Sequence, residues 1–279
     1  MPVTVPKPAV LQTSEASISY HDVGSGPVLL VLHGGGPGAS GWGNFGRNVD
    51  DFKDRYRVIV PDQPGFGESR FTDDRGGDYH SASARVMAEF LDKLGVKKAH
   101  VLGNSMGGGV ALRMAMHYPE KVDKLVLMGP YFRGFGHQLL APRHEGDAHL
   151  RGYFPNPSIE KMRALIEAFA FDPSTIEGVE DVIKSRYEAT LRPEIQAGYM
   201  RMARPATDPD PRSAFDKVAS VTNKTLLIWG RDDRFCHLEY AFFFMSALRN
   251  STLVVLRDTG HWVQVERRAE FARYVCAFL

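Results

Sequence analysis

Ala99-His100-Val101-Leu102-Gly103-Asn104-Ser105-Met106-Gly107-Gly108 is the stretch that decides the fold. An apolar, strand-like run enters a Gly-x-Ser-x-Gly turn, and Val110, Ala111, Met114 and Ala115 leave it at helical spacing. A strand running into a sharp turn and then a helix is the setting in which this motif presents a nucleophile. The turn holds the serine in a strained backbone conformation, so its neighbours two positions away must be small, and Gly103 and Gly107 meet that demand. The strain lifts the Ser105 hydroxyl out of the sheet, and the following helix N-terminus favours negative charge developing beside it. A bare Gly-x-Ser-x-Gly arises by chance often enough that it needs partners elsewhere in the chain.

Working outward, strand-like runs at residues 18–21, 28–32, 58–60, 100–103 and 124–128 alternate with Gly/Pro turns and with helical patterns at 82–94 and 107–117. This alternation predicts a mostly parallel central sheet with helices on both faces. From Tyr131 the strand runs give way to helical patterns at 159–169, 178–191 and 193–203, until Pro205-Ala206-Thr207-Asp208-Pro209-Asp210-Pro211 breaks the chain. Strand patterns return at 224–229 and 252–256, and 267–279 closes as a helix. The chain therefore divides into a first core part, 1–130, a helical lid, 131–216, and a second core part, 217–279.

With 279 residues, 43% of them hydrophobic, the chain can bury one large α/β core with a small insertion. A net charge of +1 without a dense Lys/Arg run argues against nucleic acid or a membrane surface as partner. The longest apolar runs, such as Val28 to Leu32, are far short of a bilayer span, and the stretch from Met1 to Pro8 has no charged-then-apolar signal pattern. Two cysteines, Cys236 and Cys276, in a chain too large to need staples point to a reduced, cytoplasmic setting. Metal ligation is not indicated, since no Cys/His cluster has zinc spacing.

A serine nucleophile needs a base and an orienter for the base. His261 follows the strand pattern at 252–256 in Asp258-Thr259-Gly260-His261-Trp262, and Asp233 follows that at 224–229 in Gly230-Arg231-Asp232-Asp233. Both lie in loops at sheet ends, where catalytic side chains of open α/β sheets gather. The order Ser105, Asp233, His261 is that of an α/β-hydrolase triad. Alone, His261 would read as a surface histidine and Asp233 as a turn former; order and context favour the triad. Asp232, one residue earlier in the turn, is the weaker acid candidate. His33-Gly34-Gly35-Gly36-Pro37-Gly38 follows the strand at 28–32, and its glycines let backbone N–H groups approach a developing oxyanion. Gly35 and Met106, directly after the nucleophile, are the expected donors. A phosphate loop is excluded by the missing Lys-Ser/Thr.

Taken together, the chain resembles the meta-cleavage product hydrolases, C–C bond hydrolases of bacterial aromatic-ring and steroid degradation within the α/β-hydrolase superfamily. The resemblance rests on Leu32 to Ala39 with Trp42, Asn44 and Arg47-Asn48, on Asp62-Gln63-Pro64-Gly65-Phe66-Gly67, and on Gly103 to Gly108. It continues through Leu127 to Pro130, Trp229 to Arg234 and Gly260-His261-Trp262-Val263-Gln264, covering essentially the whole core. The asparagine before the nucleophile, the Gly-Gly-Gly-Pro-Gly-Ala run with Trp42 and Asn44, and the tryptophan after the histidine discriminate best. The resemblance implies an α/β-hydrolase fold with a helical lid inserted before the acid-bearing strand, no cofactor, and a homodimer or higher homo-oligomer.

It also implies roles for matched positions. Asn44, Asn104 and Trp262 would line the polar side of the pocket, Gly36 would also touch substrate, and Phe169 and Ser174 would line the pocket from the lid. Arg186 would hold the substrate carboxylate, a contact that suits its planar fork. The substrate would be a 2-hydroxy-6-oxo-2,4-dienoate that first ketonises. Ser105, deprotonated by His261, would attack the distal ketone, and C–C cleavage would release a 2-hydroxydienoate and leave an acyl-serine for water to hydrolyse. A carboxylesterase or lactonase with the same triad, or a ligand-sensing protein on a hydrolase scaffold, stays open from the residues alone. The chain departs from the family at Tyr131-Phe132-Arg133-Gly134-Phe135-Gly136-His137, where small residues usually follow Met-Gly-Pro, and at Cys236-His237.

Overall fold

Alternation within the strands explains the layered core. Leu30, Leu32, Ile59, Val101, Leu125, Leu127, Leu227 and Trp229 belong to one buried cluster, whereas Leu29, Val31, Val58, Val60, Leu102, Val126, Leu226 and Ile228 belong to another. Successive side chains point to opposite faces, and here both faces are dry, as a parallel sheet between two helical layers requires.

The computed structural model describes residues 5–73, 78–131, 145–154, 156–204 and 216–279. The strands are β1 (Ala9–Gln12), β2 (Ala16–Val23), β3 (Val28–Leu32), β4 (Arg57–Pro61), β5 (Arg70–Phe71), β6 (Ala99–Asn104), β7 (Val122–Met128), β8 (Thr225–Gly230) and β9 (Ser251–Leu256). They join in the order β1-β2-β4-β3-β6-β7-β8-β9, with β5 beside β2. The pairs of β2 with β1, β4 and β5 are antiparallel, and every pairing from β4 to β9 is parallel.

The helices are α1 (Gly41–Phe45), α2 (Val49–Phe52), α3 (Tyr79–Lys93), α4 (Met106–His117), α5 (Glu145–Tyr153), α6 (Ile159–Phe169), α7 (Val179–Thr190), α8 (Pro193–Ala203), α9 (Leu238–Ala247), α10 (Val263–Glu266) and α11 (Arg268–Phe278). Residues of α3, α4 and α9 complete the first cluster, and Phe45, Phe52, Phe271 and Val275 complete the second. A third cluster, with Tyr153, Met162, Leu165, Ile166, Phe169 and Ile183, ties α5, α6 and α7 together and reaches Phe235 and Trp262 of the core loops. Among the described residues no helix is long and apolar enough to cross a membrane.

The sheet order reverses at β3: β4 lies on one side of it and β6 on the other. Open α/β sheets bind ligands at the carboxyl ends of strands at such a switch point. The chain leaves β3 into the glycine-rich loop and leaves β6 into Ser105, so the switch point brings these two segments together.

Candidate active site

Ser105 has φ 53° and ψ −117°, in the left-handed half of backbone space that side chains avoid. Its N–H donates to the Met128 carbonyl at 2.8 Å, and its own carbonyl accepts from Gly109 at 3.0 Å and Tyr131 at 2.8 Å. These bonds hold the strained residue from both sides. A Cβ at Gly103 would stand 2.4 Å from the Gly107 carbonyl oxygen, and one at Gly107 would stand 2.2 Å from that of Leu32. Only glycine fits either place. Helix α4 starts at Met106, whose N–H has no partner within the helix and points with the positive end of the helix dipole.

The carboxylate that reaches the histidine is Asp233. Its Oδ2 lies 2.7 Å from Nδ1 of His261, and its Oδ1 accepts the N–H groups of Phe235 at 2.7 Å and Cys236 at 2.8 Å. Both side chains are buried. With Nδ1–H donating to the carboxylate, Nε2 is left free to take a proton. Asp232 instead joins Arg231 at the surface, 3.4 Å away, and accepts from Thr259 N–H at 3.4 Å.

The glycine-rich loop after β3, the candidate oxyanion loop, has a support that the sequence did not reveal. His33 is fully buried, its Nε2 accepts the Gln63 N–H at 2.9 Å, and its Nδ1–H therefore donates to the Gly34 carbonyl at 2.8 Å. The Gln63 side chain returns a bond to the His33 carbonyl at 2.6 Å. Burial first, then the Arg186 charge, push the His33 pKa down to about 4, which keeps the ring neutral. In a trans peptide the N–H points opposite the carbonyl. Fixing the Gly34 carbonyl on His33 therefore aims the Gly35 N–H away from the ring. Gly35 lies beside Met106, since a Cβ there would stand 3.0 Å from that of Met106. The signal in the sequence was the histidine opening the glycine run; nothing marked Gln63 as its partner.

A cavity of about 260 Å³ gathers Gly34, Gly35, Gly36, Asn44, Asn104, Ser105, Met106, Phe169, Arg186, His261 and Trp262. Seven sequence-predicted positions from Gly36 through Trp262 were assigned to substrate, and six of them line it. Ser174 does not. It sits in an exposed turn, Pro173–Thr175, with its N–H on Asp172, because the chain leaves α6 away from the cavity before reaching it. The wall is completed by Tyr131, Asp147, Leu150, Arg151, Tyr199, Met202, Ala203, Phe235 and Cys236. Of the unusual stretch from Tyr131 to His137, only Tyr131 falls within the described residues. Cys236 and Cys276 are unpaired; burial and the Asp233 charge raise the Cys236 thiol well above its ordinary pKa, so it serves as an apolar wall.

Three rings stack along one side: Phe235 on Phe169 at 4.2 Å and Phe169 on Trp262 at 4.7 Å between centroids. The Arg186 guanidinium lies over the Trp262 ring, 5.0 Å from its centroid. Arg186 is 6% exposed, and among the described residues its side chain meets no carboxylate and Nη1 has no hydrogen-bond partner. Burial lowers its pKa to about 10, which still leaves it charged at neutral pH. Gly36 makes room for it, since a Cβ there would stand 3.1 Å from Nη1. Asn104, fully buried, donates weakly to the Met128 carbonyl at 3.3 Å, while its Oδ1 has no partner. Asn44 donates to the Ser40 carbonyl at 3.1 Å. The arrangement brings a serine on a strained turn, a histidine held by a buried carboxylate, a glycine-rich loop beside a helix N-terminus and a buried guanidinium around one cavity.

Comparison with known proteins identifies the family. Residues 27–268 match the family model described as the alpha/beta hydrolase fold. A 2-hydroxy-6-oxo-6-phenylhexa-2,4-dienoate hydrolase of Comamonas testosteroni is 38% identical, covering 95% of this chain and 92% of its own length. A 2-hydroxy-6-oxononadienedioate/2-hydroxy-6-oxononatrienedioate hydrolase of a Pseudomonas species is 40% identical, covering 94% and 92%. The solved structure of a mutant meta-cleavage product hydrolase from Pseudomonas fluorescens complexed with acetates, 32% identical, superposes with a TM-score of 0.81 over 94% of both chains.

Proposed function

The chain belongs to the α/β-hydrolase family and, within it, to the meta-cleavage product hydrolases, and on that premise we propose that it cleaves a C–C bond in a 2-hydroxy-6-oxo-2,4-dienoate by way of an acyl-serine. One observation carries this reading: Arg186 is a buried cation without an acidic partner among the described residues, in the cavity that Ser105 and His261 also line. An uncompensated buried charge is expensive, so such a site favours a ligand that brings the counter-charge. A neutral ester or lactone brings none; a dienoate brings a carboxylate.

In this reading Arg186 and Asn104 grip the carboxylate end. The enol proton moves to carbon 5, giving a ketone at carbon 2 conjugated with the remaining double bond. His261 takes the Ser105 proton as Oγ attacks the carbon-6 ketone, and the N–H groups of Gly35 and Met106 hold the oxyanion. The bond between carbons 5 and 6 then breaks, its electron pair passing into the conjugated dienolate, which is protonated and leaves as the 2-hydroxydienoate. Water, activated by His261, hydrolyses the acyl-serine and frees the enzyme. Residues 131–216 act as the lid that supplies Phe169 and Arg186. A cytoplasmic homo-oligomer is part of the same proposal; the two unpaired cysteines favour a reducing compartment, and light scattering measures the assembly.

The test is turnover of a panel of yellow dienoates beside p-nitrophenyl esters. Rapid loss of dienoate colour with slow ester cleavage is expected. Brisk ester or lactone cleavage without dienoate turnover would overturn the proposal.

A further inference from the structure

Phe169 to Asp172 and Gly260 to Trp262 come from distant parts of the chain and are bound together backbone to backbone. The Phe169 carbonyl accepts the N–H groups of His261 at 2.8 Å and Trp262 at 3.2 Å. Gly260 packs so tightly into the other segment that a Cβ would stand 2.7 Å from both the Phe169 carbonyl oxygen and the Phe171 nitrogen. Glu266, the last residue of α10, closes the junction. Its Oε1 accepts the Gly260 N–H at 2.8 Å, and its Oε2 accepts those of Phe171 at 2.7 Å and Asp172 at 3.4 Å.

No step of the reaction uses Glu266, and it is not among the residues that line the cavity. Burial, with the Asp233 charge, raises its pKa in spite of the N–H groups it accepts, so the carboxylate is held in an unfavourable place. What it holds is informative. The residue after Gly260 is the base, and the residue two before Phe171 carries the ring that stacks on Trp262 and lies 5.7 Å from the His261 ring.

We propose that Glu266 is a positioning residue that clamps the His261 turn to the C-terminal end of α6, so that the base and the Phe169 wall are set as one unit. The proposal goes beyond the C–C hydrolase reading and rests only on His261 acting as the base. Its consequence is that the end of α6 stays with the base whatever the rest of the helical layer does. A change at Glu266 should therefore reach the proton-transfer step and not only the stability of the fold.

The experiment uses Glu266→Gln and Glu266→Asp in the full-length protein, assayed on a dienoate and on a p-nitrophenyl ester. The amide of glutamine turns an N–H donor toward groups that are themselves donors, and aspartate keeps the charge but shortens the reach. For Glu266→Gln, kcat should fall roughly tenfold to a hundredfold on whichever substrate the unmodified protein turns over, as small misplacements of a reacting group do. KM should change much less, and the proton NMR signal of His261 Nδ1–H should shift or broaden. Glu266→Asp should lie between the two, and carries the same test if the glutamine variant does not fold. A lowered Tm with full kcat and an unmoved Nδ1–H signal would overturn the proposal and leave Glu266 a plain structural tie. Ester cleavage without dienoate turnover by the unmodified protein would defeat the C–C reading while leaving this test readable on the ester.

Discussion

The two sides of the cavity are built in opposite ways. On the acid–base side, the Asp233 carboxylate is saturated: it holds His261 with one oxygen and two backbone N–H groups with the other. On the Arg186 side, Nη1 of the arginine and Oδ1 of Asn104 are buried without partners among the described residues. Buried polar groups are normally satisfied; the first side is satisfied by the chain itself, and in the proposed reading the substrate supplies what the second side lacks. On that reading the saturated side is the machinery held in place, and the side with partnerless groups facing the cavity is where the substrate carboxylate binds.

The largest effect expected on the saturated side is that of Ser105→Ala. It should lower turnover by up to about 10⁶-fold, the scale at which a triad loses its nucleophile, with an unchanged Tm. Retained activity per folded molecule would remove Ser105 from the chemistry. Asp233→Asn should follow, at about 10⁴-fold in kcat, because the amide no longer fixes the imidazole tautomer. Asp232→Asn should be nearly silent, since that carboxylate serves a surface contact with Arg231; a reversal of the two would mean that the saturated carboxylate is not the working one. His33→Ala frees the Gly34–Gly35 peptide and should cost roughly 10²-fold in kcat, the lower range for loss of an oxyanion donor. Stopped-flow absorbance with a dienoate reads that step, and an unaltered kcat would show that Gly35 does not need His33 to aim it.

Much of this was legible in the sequence, for identifiable reasons. Ser105, Asp233 and His261 each follow a short, β-branched or apolar run that reads as a strand, so a parallel sheet at once places all three at its carboxyl end. The helices α6 and α8 fall where the pattern put them. The strand β1 was missed because it is an exposed edge without a buried face to impose alternation. Helix α9 was missed because Phe242-Phe243-Phe244-Met245 is apolar on both sides: Ala241 and Phe244 are buried, while Phe242 and Met245 face outward. The apolar half of the cavity was unreadable, since Leu150 comes from α5, Tyr199 and Met202 from α8, and Phe235 from the loop after β8, and no single motif joins these three segments. Ser174 failed for the converse reason: a matching position in a family pattern does not fix the path of an irregular turn. Arg186 was found through resemblance; its burial without a partner, which gives it meaning, is a property only of the folded chain.

The contrast between the two sides is tested most directly by Arg186→Gln assayed on a carboxylate-bearing dienoate and on a neutral p-nitrophenyl ester in the same preparation. Loss of a charge-assisted bond, about 1.5–3 kcal/mol, should lower kcat/KM for the dienoate by about 10- to 150-fold. The ester has nothing for the arginine to hold and should lose less than about threefold, within the reach of the saturated side alone. Equal losses on both substrates, or no loss on either, would contradict the assignment of this side of the cavity to the substrate carboxylate.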